Sequence, residues 1–155
     1  MQLRYRNVSI DDSSTLLEWR NDFEVRKFSF NKSLISNKEH EIWFMNRLNY
    51  LDKEPFWIFE EFEELVGMVR FDKSYEESKF EISILVNEFY RNKGYGKRIL
   101  NISIKKFLLL YPKAKIIAKI HLQNTPSLKL FRQTGFINLE TRDSYQILEF
   151  CTTFD

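Results

Sequence analysis

The run Phe80-Glu81-Ile82-Ser83-Ile84-Leu85-Val86, the turn Tyr90-Arg91-Asn92-Lys93-Gly94-Tyr95-Gly96 and the segment Lys97 to Tyr111 that follows decide the fold. The first part reads as a strand. The last part places Ile99, Leu100, Ile104, Phe107, Leu108 and Tyr111 on one side of a helix and Lys97, Asn101 and Lys105 on the other. Two glycines and a basic residue therefore sit where a strand turns into a helix. Glycine lets backbone approach an anion closely, and the free N–H groups of a helix's first turn point at that anion. The spacing is neither the dinucleotide fingerprint, which needs a third glycine, nor the Walker loop, which ends in Gly-Lys-Ser/Thr.

Upstream, residues 3–8 alternate apolar and polar as a first strand. Asp11 and Asp12 offer helix caps before Leu16, Leu17 and Trp19. Ser36-Asn37-Lys38-Glu39 is a capping box, and His40, Trp43, Phe44, Leu48 and Leu51 recur at helical spacing behind it. After Pro55, residues 56–61 and 65–72 read as a hairpin around Phe62-Glu63-Glu64. Downstream, residues 114–122 are β-rich, and Pro126 behind Asn124 and Thr125 opens a helix that Gly135 stops. Residues 136–140 and 145–150 form a last hairpin. The predicted order is β-α-α-β-β-β-α-β-α-β-β, a mixed α/β layout in one domain spanning residues 1–155.

Composition narrows the function classes. The chain has 155 residues, 43% hydrophobic and 30% charged, which suits one globular domain with one sizeable core. A net charge of +2 gives no nucleic-acid footprint. No apolar run approaches the ~20 residues of a membrane-spanning helix, and residues 1–6 lack the apolar core of a signal peptide. Cys151 is the single cysteine, which excludes an intramolecular disulfide and fits a reducing cytoplasm. Two histidines and one cysteine far apart in sequence form no metal motif.

The element order, the turn at Arg91 to Gly96, and the segment Asn124-Thr125-Pro126-Ser127-Leu128-Lys129-Leu130-Phe131-Arg132-Gln133-Thr134-Gly135-Phe136 resemble the GNAT superfamily of acetyl-CoA-dependent N-acetyltransferases. The resemblance covers nearly the whole chain. It implies a mostly antiparallel central sheet, flanked by helices and splayed between strands four and five, with acetyl-CoA as cosubstrate and no metal. The pantetheine arm would lie in that cleft against backbone groups of Ile84, Leu85 and Val86, as an added strand. Amides along Arg91, Asn92, Lys93, Gly94, Tyr95, Gly96 and Lys97 would hold the pyrophosphate. Asn124 would bond a pantetheine amide or carbonyl, with Ser127 and Phe131 beside the cosubstrate on the same helix.

Acetyl transfer needs a base for the ammonium, donors for the thioester oxygen and stabilisation of the departing thiolate. Strand alternation places Glu81 with Ser83 and Leu85, opposite Phe80, Ile82 and Ile84. Glu81 resembles the strand-four glutamate that several family members use as base. An ion-paired surface glutamate is the structural alternative. A strand-four N–H, of Leu85 or Val86, would serve the oxygen. The family's common acid is a tyrosine where this chain has Phe131. Ser127 matches the serine of the ribosomal-protein N-terminal acetyltransferase branch and would stabilise the thiolate by a hydrogen bond. Tyr95 is a further hydroxyl beside the loop.

Trp19-Arg20-Asn21-Asp22 followed by Val25-Arg26 resembles the GNAT branch that acetylates nucleotide-linked amino sugars in pseudaminic-acid and surface-polysaccharide pathways. On that resemblance Trp19, Arg20, Asn21, Arg26, His40 and Trp43 line the acceptor site, and arginines there match a diphosphate. The acceptor is then a small-molecule amine, with neither nucleic acid nor membrane as partner, on a monomer or homodimer. Acetylation of a protein N-terminus is the second reading. A non-catalytic acetyl-CoA sensor is the third. The intact Glu81, Arg91, Gly94, Gly96 and Asn124 argue against that last one.

Overall fold

In the computed structural model, which describes residues 2–152, the strands are β1 (Arg4–Asn7), β2 (Phe56–Glu61), β3 (Glu64–Lys73), β4 (Lys79–Val86), β5 (Lys115–His121), β6 (Phe136–Thr141) and β7 (Tyr145–Phe150). The helices are α1 (Ser13–Asn21), α2 (Phe23–Arg26), α3 (Asn37–Leu48), α4 (Tyr95–Leu110) and α5 (Thr125–Gln133). Residue 1 and residues 153–155, the ends of the expected 1–155 domain, lie outside the described residues. Among the described residues no helix is long and apolar enough to cross a membrane.

The predicted order holds with one refinement. The first helical region is two helices, because Asp22 leaves the helical conformation (φ −54°, ψ 133°) and accepts a hydrogen bond from the Glu24 N–H at 3.0 Å. That side chain ends α1 and caps α2. The Ser36–Glu39 capping box forms as expected at the start of α3. Phe62 and Glu63 both adopt positive φ, the geometry of a tight turn between twisted strands.

One sheet runs β1-β2-β3-β4-β5-β7-β6. Every neighbouring pair is antiparallel except β4–β5, which is parallel. That pair is short. Lys79, Phe80 and Glu81 face Lys115, Ile116 and Ile117. Beyond this point β4 remains paired to β3 as far as Val86, and β5 remains paired to β7 as far as His121. The two strands diverge, and the sheet splays open between them.

Two layers cover the sheet. On one face α4 and α5 contribute Ile99, Leu100, Ile104, Phe107, Leu128 and Phe131 to the main core. Phe107 stacks on Phe71 at 3.8 Å between ring centroids and meets Phe80 edge-on at 5.0 Å. On the other face Leu16 and Trp19 of α1 and Phe44 of α3 pack on Phe56, Ile58 and Leu85. Period-two alternation fixes which face each strand residue serves. Phe80 and Ile82 point to the α4 layer, and Glu81, Ser83 and Leu85 point to the α1–α3 layer.

Candidate active site

The turn after β4 leaves backbone amides free at the start of a helix. Asn92 (φ 59°) and Gly94 (φ 82°) take left-handed conformations, so the chain reverses sharply into α4. Gly94 is the N-cap and supplies no side-chain bond. The first helical bond runs from the Arg98 N–H to the Gly94 carbonyl at 3.3 Å, so the amides of Tyr95, Gly96 and Lys97 precede the ladder. A Cβ on Gly94 would meet nothing within 4 Å, which leaves that approach open. Gly96 serves packing instead. A Cβ there would lie 3.0 Å from Leu130 Cδ2 of α5.

Side chains brace this turn from behind. Glu61 at the end of β2 is covered by the residues it binds. It accepts hydrogen bonds from the Tyr95 hydroxyl and, at 3.1 Å, from Arg98 Nη2. These donors hold the Glu61 carboxyl below its usual range, the Tyr95 bond foremost, while the same bond raises the Tyr95 phenol. Tyr95 is thereby committed as an anchor and is not free to donate to a thiolate. Arg91 donates from Nε to the Val86 carbonyl at 3.0 Å and from Nη2 to Asp22 Oδ2 at 2.5 Å. Its guanidinium ties β4 to the acceptor-side helices and is not aimed at a phosphate. Lys93 Nζ folds back to the Phe89 carbonyl at 2.8 Å.

The backbone lining the cleft follows from register. The Asn87 N–H donates to the Val66 carbonyl at 2.8 Å, and β3–β4 pairing runs without a bulge. Alternation then turns the polar groups of Leu85 toward β3 and those of Ile84 and Val86 toward the cleft. The Ile84 backbone and the Val86 N–H are therefore available to a strand-like ligand, whereas the Val86 carbonyl is taken by Arg91 Nε. Leu85 is not, and its side chain is buried in the second core.

At the far wall, Asn124 caps α5 by accepting from the Ser127 N–H at 3.3 Å. Its carboxamide oxygen is thus used, and its NH₂ is the end available to a ligand carbonyl. Ser127 is half-buried one turn into the helix. Phe131, expected beside the cosubstrate, is 2% exposed and meets Phe136 edge-on at 4.9 Å. It is a core residue because the amphipathic spacing of α5 turns it, with Leu128, toward the sheet.

Glu81 sits where β4 and β5 part, facing the α1–α3 side as the alternation predicts. Its partner is Lys119 of β5, with Nζ 3.4 Å from Oε2. Both side chains are about one-third exposed, so the pair is accessible to a substrate.

The acceptor side is more selective than the sequence reading. Trp19 is buried in the second core. Asn21 uses both ends of its carboxamide on the Ile35 backbone, donating to the carbonyl and accepting from the N–H at 2.8 Å each. Arg26 donates to the carbonyls of Asn21 (3.0 Å) and Lys32 (3.1 Å). These two residues shape the segment 27–36 rather than face a ligand. That segment crosses the acceptor side, with Phe28 against His121 at 6.2 Å and Phe30 edge-on to Tyr145 at 5.2 Å. His121 Nδ1 accepts from the Gln123 N–H at 3.2 Å. His40 is buried and stacked on Phe44 at 5.5 Å. Burial pushes its imidazole below the usual value, against the opposing pull of a Ser13 backbone bond. Trp43 remains partly exposed and carries the Arg70 guanidinium over its ring at 5.1 Å.

The GNAT acetyltransferase domain profile matches residues 2–137. The chain belongs to the GNAT acetyltransferase family. A search of the curated proteins finds no match. Among solved structures, a domain from Methanocaldococcus jannaschii DSM 2661 is 26% identical, with TM-score 0.81 over 96% of this chain and 97% of that one. Spermidine N-acetyltransferase from Vibrio cholerae, in complex with CoA and spermine, is 17% identical, with TM-score 0.82 over 96% and 93%. An aminoglycoside acetyltransferase in complex with coenzyme A is 17% identical, with TM-score 0.77 over 98% and 95%.

The GNAT fold and the enzyme class expected from the sequence, an acetyl-CoA-dependent N-acetyltransferase, stand on the family match. What the sequence did not reveal in this GNAT domain is the set of long-range partners. Asp22 meets Arg91 across 69 positions, Lys119 meets Glu81 across the splay, and Arg70 of β3 joins the acceptor side. The one available signal was Lys119, a lysine between the apolar residues Ala118 and Ile120 of β5.

Proposed function

We propose that this GNAT domain transfers acetyl from acetyl-CoA to a primary amine by direct attack, and that the acceptor is a nucleotide-linked amino sugar. The observation that carries the reaction is the position of Glu81 at the vertex of the β4–β5 splay, facing the acceptor layer. The pantetheine arm lies along the cleft-facing backbone of Ile84 and Val86, with the Asn124 NH₂ opposite. The pyrophosphate sits on the amides from Asn92 to Lys97. Glu81 takes the proton of the incoming ammonium, directly or through water, once the amine displaces Lys119. The Val86 N–H receives the charge that develops on the thioester oxygen. Ser127 donates a hydrogen bond to the leaving thiolate. Its hydroxyl is too weak an acid to protonate a thiolate whose conjugate thiol has a reference pKa of about 8.5, so the thiolate takes its proton from solvent.

The solved relatives that act on spermidine and on aminoglycosides support an amine acceptor. The choice of a nucleotide-sugar rests on the Trp19-Arg20-Asn21-Asp22 resemblance and on the flat wall at Trp43. Binding through the nucleotide would hold the amine beside the thioester, where orientation supplies much of the rate.

The test is a panel of amine acceptors with acetyl-CoA, read as free thiol released. UDP- or CMP-linked 4-amino-sugars should turn over far faster than the free sugars. Turnover of peptides with free N-termini in their place supports the second reading, a protein N-terminal acetyltransferase. CoA binding with no thiol release from any acceptor supports a non-catalytic module.

A further inference from the structure

Resting on that acceptor-side reading, we infer that Arg20 and Arg70 form an oxyanion site that receives a phosphate or carboxylate group carried by the acceptor amine. Arg70 is on β3, directly across from Ser83 of β4. It therefore lies on the same sheet face as Glu81, which is paired to the next residue but one on β3, Asp72.

The charges on this face do not balance locally. Asp72 is shared between Arg47, at 3.3 Å, and Arg70, at 3.0 Å. The Arg70 contact is electrostatic only. Its Nε–H does not point at the carboxylate, so that buried donor has no acceptor. Glu81 is taken by Lys119. Arg20 has no carboxylate partner among the described residues. One of its nitrogens donates to the Asn31 carbonyl at 2.8 Å, and its Nη1 is sealed from solvent without any acceptor. Burial, then the charges of Arg70 and Arg26, push the Arg20 guanidinium below its usual value.

A buried donor without an acceptor carries a desolvation cost that a folded chain ordinarily avoids. Here two such donors belong to guanidiniums on the same acceptor side, close enough that the charge of Arg70 acts on Arg20. One oxyanion between Arg20 and Arg70 would satisfy both and relieve their repulsion, since each guanidinium presents a planar fork of donors matched to such a group. Arg70 is partly exposed and stacked on Trp43, which gives the anion an entry and a flat apolar wall beside it. Arg26 is not part of the site, because it donates to the carbonyls of Asn21 and Lys32.

The experiment titrates inorganic pyrophosphate into the CoA-saturated protein by calorimetry, so that the loop after β4 is already filled. The wild-type complex should bind the anion. Arg70→Gln and, separately, Arg20→Lys should each weaken it at least about tenfold. Arg142→Gln, on the distant β6–β7 hairpin, should not. CoA affinity, measured in parallel, reports that each variant is folded. Pyrophosphate should also inhibit turnover competitively with the acceptor. No pyrophosphate binding by the wild-type CoA complex, equal affinity in Arg70→Gln and Arg20→Lys, or inhibition that is not competitive would each overturn the assignment. Loss of all acetyl transfer with anion binding intact would instead sink the reaction proposed above.

Discussion

The two halves of the proposed site offer a ligand different kinds of group. The cosubstrate half, from the end of β4 through the first turn of α4, presents backbone. It offers the amides behind Gly94, the cleft-facing groups of Ile84 and the Val86 N–H. The acceptor half, between α1–α3 and the sheet, presents side chains drawn from separate elements, namely Arg20, Trp43, Arg70, Glu81 and Lys119. Backbone recognition demands little of residue identity beyond a left-handed position and a helix start. Side-chain recognition demands that distant positions converge. The first suits a cosubstrate shared across a family, and the second suits an acceptor that differs between members.

The sharpest way to test this division is at Glu81, where the halves meet. Glu81→Gln keeps the shape and removes the proton acceptor. It should lower kcat by about 10²–10⁴, the range of a general base, while CoA affinity measured by calorimetry changes little. An unchanged rate across pH 6 to 9 would make Glu81 a structural partner of Lys119. Ser127→Ala should cost less, because water can stabilise a thiolate; an equal loss would reverse the two roles.

Next in size is Gly94→Val, which attacks the backbone half alone. Its Cβ has open space in the protein, so packing is not the cause. A branched residue at φ 82° stores strain of about 1–3 kcal/mol and projects into the approach to the amides. CoA should bind roughly tenfold more weakly or worse. Gly96→Ala presses on the flexible end of Leu130, so its main effect should be a lower melting temperature. Should the two glycines prove interchangeable, the distinction between an anion glycine and a packing glycine fails.

The smallest effect is expected at the Asp22–Arg91 bridge, the direct tie between the halves. Burial alone would raise the Asp22 carboxyl, but the bonds from Arg91 and the Glu24 N–H outweigh it and hold the group below its usual value. A depressed carboxyl contributes stability above its unfolded pKa and loses it as pH falls through the folded pKa. Thermal melts from pH 7 down to 3 should show that loss below about pH 4. Asp22→Asn should lose the same increment at neutral pH, up to about 1 kcal/mol for a partly exposed pair, and flatten the acid limb. An unaltered acid limb in the variant would show that the bridge does not couple the halves.

Much of the fold was legible because it is written in local periods. The capping box at Ser36, the glycine-rich turn before α4, Pro126 and Gly135 each act within a few residues of themselves. Glu81 was placed on the correct face by period-two alternation alone. Phe131 was misplaced because a family position named it, whereas its own helical spacing with Leu128 turns it to the core. Trp19, Asn21 and Arg26 were placed at the acceptor site by the resemblance of Trp19-Arg20-Asn21-Asp22 and Val25-Arg26 to a family branch. Their partners are the second core and the backbone of residues 21 to 35.

The sequence by itself determined the element order, the open glycine turn after β4 and the family, because these depend on residues adjacent in the chain. Only the tertiary structure decided that Leu85 gives its backbone to β3 while Ile84 and Val86 face the cleft. It alone decided that Arg91 bonds Asp22, and that Arg20 and Arg70 are left with unsatisfied donors. Those outcomes turn on strand register and on charges brought together from different elements, and neither is encoded in any local stretch.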